Sequence, residues 1–176
     1  MTIAFLDVQY LAAGARAACV VAQAWSSPAP LSTHLADIDA VQDYEPGAFY
    51  RRELPCLLRV LSLLSSPADV LVVDGYVWLP DESTPGLGAH LYEATGRRTP
   101  VVGVAKTAYR DAMSAPTVAK VLRGASARPL FVTAVGLDLE AAVACVRTMA
   151  GDHRVPLLIA AVDRLARSTL PAGPLA

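Results

Sequence analysis

The stretch Asp69-Val70-Leu71-Val72-Val73-Asp74-Gly75 constrains this chain more than any other. Four consecutive apolar, mostly β-branched residues suit a strand covered on both faces, and strands of that kind belong to parallel or mixed sheets flanked by helices. The run stops at an acid followed by glycine. In an open α/β sheet ligands bind beyond the carboxyl ends of the strands, so Asp74 is the first candidate for chemistry. The plainer reading is that Asp-Gly only opens a turn. Both remain open on this pair alone.

The flanking sequence builds an α/β architecture around that strand. Ile3 to Tyr10 and Ala17 to Trp25 read as strands joined by a hairpin at Gly14, and Leu31 to Val41 supplies a third, ending among Asp37, Asp39 and Asp43. Asp7 lies inside the first strand with apolar residues on both sides. Either strand alternation turns it to solvent, or its burial is compensated by a metal or a partner. Pro55 suits the first position of a helix, which places Glu53 near the N-cap and gives Leu57, Leu58, Leu61 and Leu64 one apolar stripe. A lone glutamate there can also simply serve the helix dipole.

After Asp74, residues 76–88 hold two prolines and two glycines and read as a long surface loop at the same sheet edge. A short helix over 89–95 leads to the strand 100–106. If that strand runs parallel to the Asp74 strand, Lys106 projects beside Asp74. Residues 128–136 give one more strand, 138–150 a helix capped at Leu137 or Asp138, and 155–167 a last helix carrying Asp163.

With 176 residues the chain fits one domain, 1–176, and 54% hydrophobic against 18% charged residues suits a compact core. No apolar run of 18 residues and no signal-like start occur, so the expectation is a cytoplasmic protein with no membrane partner. Cys19, Cys56 and Cys145 are unevenly spaced among apolar neighbours, as reduced core thiols are. The net charge of −1 argues at first sight against nucleic acid. Gathering four acids around a cation would leave the rest of the chain basic. Basic residues are almost all arginine: Lys106 and Lys120 are the only lysines.

Five segments in order, Tyr44-x-Pro46-Gly47, Arg52-Glu53-x-Pro55, Val73-Asp74-Gly75, Gly86-Leu87-Gly88-Ala89-His90 and Gly103-Val104-Ala105-Lys106, resemble the endonuclease V family. The resemblance implies an RNase H-like α/β fold: a mixed five-stranded sheet, three antiparallel strands first, with helices on both faces. It implies metal-binding carboxylates at Asp7, Glu53 and Asp74, with Asp163 in the fourth position by its spacing from Arg154-Val155-Pro156. Lys106 matches the lysine beside the scissile phosphate, and Tyr44, with Pro46 and Gly47, the wedge into the duplex. Tyr76 and His90 fall at further nucleic-acid-binding positions. The implied cofactor is Mg²⁺, with Mn²⁺ as the alternative. The implied partner is DNA with deaminated bases, deoxyinosine above all, or inosine-containing RNA.

The departures are equally specific. Where the family reads Asp-Gly-His-Gly and then His-Pro-Arg, this chain has Asp74-Gly75-Tyr76-Val77 and Leu79-Pro80-Asp81. Its Pro-Glu-Pro-Thr-Arg is replaced by Pro156-Leu157-Leu158-Ile159-Ala160, and the sequence begins at the first strand rather than at a preceding helical segment. Two readings follow: a nuclease with an altered substrate-gripping shell, or a relative that binds nucleic acid or protein without cutting. The remaining His34 and His153 read as surface or turn residues. Trp25 and Trp78 read as packing residues, Trp78 being able to stack on a base, and Arg97-Arg98 as phosphate contacts or a solvated turn.

Overall fold

The computed structural model describes residues 1–39, 41, 50–81, 84–109 and 115–175, the last three by their backbone. Among these residues eight strands form one mixed sheet: β1 (Ile3–Tyr10), β2 (Ala15–Ala22), β3 (Ser32–Ile38), β4 (Val70–Val73), β5 (Val101–Ala105), β6 (Ala119–Val121), β7 (Leu130–Val135) and β8 (Gly173–Leu175). Their order across the sheet is β6-β7-β5-β4-β1-β2-β3-β8. The helices among the described residues are α1 (Tyr50–Leu61), α2 (Leu87–Ala94), α3 (Leu139–Thr148) and α4 (Leu157–Ala166).

The centre of the sheet follows the sequence pattern. β1 and β2 form an antiparallel hairpin, and β3 continues it antiparallel to β2. Gly14 closes the hairpin with φ +83°, where a Cβ would fall 1.9 Å from the Ile38 carbonyl oxygen. β4 lies parallel to β1, and β5 parallel to β4 through the α2 crossover. This is the RNase H-like arrangement, but the expected count of five strands was too low. β7 and β6 add antiparallel strands beyond β5, and β8 adds one beyond β3. β6 and β8 span three residues each, too short to show a two-residue hydrophobic period.

The side-chain alternation of the strands divides the core in two. Ile3, Phe5, Val70, Val72, Val102 and Val104 pack against α3 and α4. Ala4, Leu6, Leu71, Val73 and Val101 pack on the other face with Leu57 and Val60 of α1 and Leu91 of α2. Helices thus cover both faces, and Trp25 packs edge-on to Phe5 in the first layer. All three cysteines are free, with Cys19 and Cys56 buried. Among the described residues no helix is long and apolar enough to cross a membrane.

Three local expectations are corrected. α1 begins at Tyr50, so Pro55 lies inside the helix and not at its first position. The Cys56 thiol donates to the Arg52 carbonyl one turn back, 3.2 Å away. The 76–88 segment is not purely a surface loop, because Tyr76 and Val77 are buried and Trp78 bridges to Pro85. His34 is not a surface histidine: it lies 8% exposed on β3 with Nε2 3.1 Å from Ser32 Oγ. Asp138 does cap α3, its Oδ1 accepting from the Ala141 N–H at 3.0 Å.

Candidate active site where β4 leaves β1

Strand register brings the first two acids together. The parallel β1–β4 pairing ends at Leu6 opposite Val73, so Asp7 and Asp74 are neighbours one row further on. Both fall on the α4 face, in step with Phe5 and Val72. They line one small cleft with Ile159 and Val162 of α4, the helix that carries Asp163 one residue later. Lys106 follows β5 in step with Val102 and Val104, which gives it the same face. Its Nζ donates to Asp74 Oδ2 at 2.6 Å and stands 3.7 Å from Asp163 Oδ1.

Glu53 arrives from the other layer. It sits in the first turn of α1 and lines a cleft with Asp7, Asp74, Leu6, Leu57, Val73 and Leu87. Four carboxylates, one from within β1, one from the end of β4 and two from helices, therefore converge on one edge of the sheet, together with one lysine.

The electrostatics identify this as a costly arrangement. Burial, reinforced by the charges of Asp7 and Asp74, pushes the Glu53 carboxyl from 4.5 up to about 8. Burial and then the Asp74 charge raise Asp7 from 3.8 to about 6, against the lowering effect of the Val8 N–H that Oδ1 accepts at 2.9 Å. Desolvation works against the Lys106 ammonium, yet the Asp74 hydrogen bond and the surrounding carboxylates hold its pKa above the ordinary lysine value. One ammonium does not neutralise the group. Such a cluster is relieved either by protons or by a cation.

An oxygen-only donor set of carboxylates suits a hard divalent ion such as Mg²⁺ or Mn²⁺. Among the described residues, however, no three His, Cys, Asp or Glu side chains are arranged to hold a metal ion. Two carboxylates are engaged by cations of the chain itself. Asp74 is held by Lys106, and Asp163 accepts from Arg167 Nε at 3.1 Å and Nη2 at 3.2 Å. Asp163 and Arg167 are four residues apart on one helix face. That spacing is visible in the sequence, but only the placement of α4 shows that the pair faces the acids.

The loop leaving Asp74 is fastened from below. Its Val77 N–H donates to Thr133 Oγ1 at 2.8 Å, in a fully buried contact. Gly103 makes room for it, since a Cβ there would lie 2.5 Å from the Gly75 carbonyl oxygen. Tyr76, expected at a nucleic-acid contact, has an internal role instead. It is 8% exposed, donates to the Thr107 carbonyl at 3.0 Å and accepts from the Tyr109 N–H at 3.1 Å. The loops after β4 and β5 are thereby tied together. Arg154 secures the same region, its Nη2 donating to the Lys106 carbonyl and, at 2.9 Å, to the Pro129 carbonyl.

His90, on α2, stacks on Tyr50 of α1 with ring centroids 3.4 Å apart and planes 13° apart. Arg52 places its guanidinium over the Tyr10 ring, 4.2 Å from the centroid. Tyr44, Pro46 and Gly47 lie outside the described residues.

A sequence model of the Endonuclease V family matches residues 1–164. The chain belongs to the endonuclease V family. Endonuclease V of Nocardia farcinica is 32% identical over 98% of this chain and 82% of its own length. The Xanthomonas campestris pv. campestris (strain B100) enzyme is 41% identical over 52% of this chain, a match that covers 37% of that relative. The fold is shared with Ciona intestinalis endonuclease V, solved in complex with a 24mer DNA containing an inosine followed by a ribo-adenosine. There the TM-score is 0.74 at 19% identity, over 94% of this chain and 84% of the other.

Proposed function

We propose that this endonuclease V family member is a divalent-metal-dependent nuclease that hydrolyses the phosphodiester on the 3′ side of deoxyinosine or a related deaminated base, in the service of DNA repair. The observation that carries this reading is the convergence of Asp7, Glu53 and Asp74 on one cleft, with Lys106 beside them. The DNA complex of the Ciona intestinalis enzyme supports a nucleic-acid substrate. Inosine-containing RNA is the alternative substrate. Residues 1–176 act as one cytoplasmic unit in this account.

Asp7, Glu53, Asp74 and Asp163 would hold the cation, Mg²⁺ or Mn²⁺. When bound, the ion supplies charge stabilisation at the phosphate and makes a neighbouring water more acidic. The chain supplies the rest. Lys106 Nζ places a positive charge at the sheet edge, where negative charge grows on the phosphoryl oxygens in the transition state. Val73, Leu6 and Leu57 wall the cleft and keep bulk water from one side of the acids. Tyr44, with Pro46 and Gly47, is assigned to the wedge beside the lesion, and His90, steadied on Tyr50, to a contact at the rim. Tyr76 contributes by fixing the loop after Asp74, and not by touching the strand.

The second reading is a non-cleaving relative that binds nucleic acid or protein. It is favoured by the ion pairs that already engage Asp74 and Asp163. Incubation with deoxyinosine duplex and with inosine-containing RNA, in Mg²⁺, separates the two. A nick one nucleotide beyond the lesion that disappears in Asp74→Ala supports the nuclease. Intact strands in both proteins leave only the binding role.

A further inference from the structure

Asp163 has both oxygens occupied by the chain's own cations. Arg167 donates to Oδ2 at 3.1 Å and to Oδ1 at 3.2 Å, while Lys106 Nζ stands 3.7 Å from Oδ1. These two bases differ in freedom. The Lys106 side chain is 29% exposed and also bonded to Asp74, whereas Arg167 is 62% exposed. An exposed pair of this kind is worth little and is released at small cost. Arg167 also occupies the C-cap of α4, where a cation is favoured by the helix dipole whether or not it holds Asp163. Its planar fork suits a carboxylate and a phosphate equally.

We propose that Arg167 is a stand-in cation: it holds Asp163 while the site is metal-free, yields that carboxylate to a divalent ion, and then meets a nucleic-acid phosphate beside Lys106. The inference rests on the divalent-cation reading of the cluster. It gives Arg167 two opposed effects, weakening metal binding and strengthening nucleic-acid binding. An arginine that only braced the last turn of α4 would have neither. It also restores a phosphate-directed arginine to a chain whose Pro156-Leu157-Leu158-Ile159-Ala160 segment carries none.

The test is a Mn²⁺ titration by calorimetry on the full chain, comparing wild type, Arg167→Gln, Arg167→Lys, Asp163→Asn and the double variant. Arg167→Gln is expected to bind Mn²⁺ about two- to five-fold more tightly, the scale of an exposed ion pair, with Arg167→Lys close to wild type. In the Asp163→Asn background Arg167→Gln is expected to add nothing. Equal affinity in wild type and Arg167→Gln overturns the inference while leaving the nuclease reading intact. So does a gain that persists undiminished in Asp163→Asn, which would make Arg167 a distant charge only. No Mn²⁺ binding by any of the proteins overturns the inference and the cation reading together. Binding of a deoxyinosine duplex in Ca²⁺ tests the second half: Arg167→Gln is expected to lower the salt slope by about one. An unchanged slope and affinity overturn the phosphate contact.

Discussion

Two charged clusters border the central sheet, and they are built on opposite principles. Around Arg16, one guanidinium meets one carboxylate and two carbonyls: Asp37 Oδ1 at 2.6 Å and Oδ2 at 2.8 Å, the Leu170 carbonyl at 2.9 Å and that of Ser168. The Arg16 hydrogen bond holds the Asp37 carboxyl below its ordinary range. Where β4 leaves β1, four acids share Lys106 and Arg167, and Asp7 and Glu53 are driven above theirs. The first cluster fastens the segment after α4 to β2 and favours the folded state. The second opposes folding, and its raised carboxyls are the mark of a site shaped for something other than stability.

The largest expected effect falls on the second cluster. Asp7→Asn or Asp74→Ala is expected to reduce cleavage of a deoxyinosine duplex by about a hundred- to a thousand-fold, the scale of several kcal/mol of lost charge stabilisation. Single-turnover assays measure it. Arg16→Ala, by contrast, is expected to leave the rate within a few-fold. If both changes cost the same, the two clusters are not functionally distinct.

The pH dependence sharpens the contrast. A carboxyl whose pKa is higher in the folded than in the unfolded chain makes the folded state bind more protons, so stability falls as pH rises between the two values. For Asp7 that window runs from 3.8 to about 6, and for Glu53 from 4.5 to about 8. From these two groups metal-free protein is thus expected to lose stability from pH 3.8 to about 8, with Glu53→Gln flattening the upper part. Asp37, depressed by Arg16, has the opposite sign: its contribution is present above the ordinary carboxylate range and is lost as pH falls through its lowered value. Urea unfolding across pH checks both.

Smaller effects follow for the scaffold. Arg16→Ala is expected to cost about 1 kcal/mol in urea unfolding, because the charge-assisted bonds are discounted by the exposure of Asp37. Thr133→Val removes the hydroxyl that accepts from the buried Val77 N–H and is expected to cost about 1 kcal/mol. It also loosens the loop after Asp74, which a modest fall in cleavage rate would reveal.

The legibility of these features in the sequence follows their physics. Val70 to Val73 announce themselves because a strand buried on both faces must be apolar throughout, and the polar residue that ends it marks the sheet edge. Parallel pairing then follows from the helix between β4 and β5, which is why Lys106 could be set beside Asp74 in advance. β6 and β8 were hidden because three residues carry no period. Pro55 misled because the first helical position is only proline's preference, and α1 carries it inside the helix. Tyr76 sits in a polar loop, and nothing local reveals that its hydroxyl bridges to Thr107 and Tyr109. Arg167 was invisible for a different reason: its spacing from Asp163 is plain, but the direction that helix face points is decided by tertiary packing.

Proton release on metal binding tests the central claim most directly. Calorimetric Mg²⁺ or Mn²⁺ titrations at pH 7, in two buffers of different ionisation enthalpy, count the protons displaced. A Glu53 carboxyl at about 8 is still largely protonated at that pH, so binding is expected to release about one proton in wild type and almost none in Glu53→Gln. Binding without proton release, or no binding, would contradict the account of four acids sharing one cation.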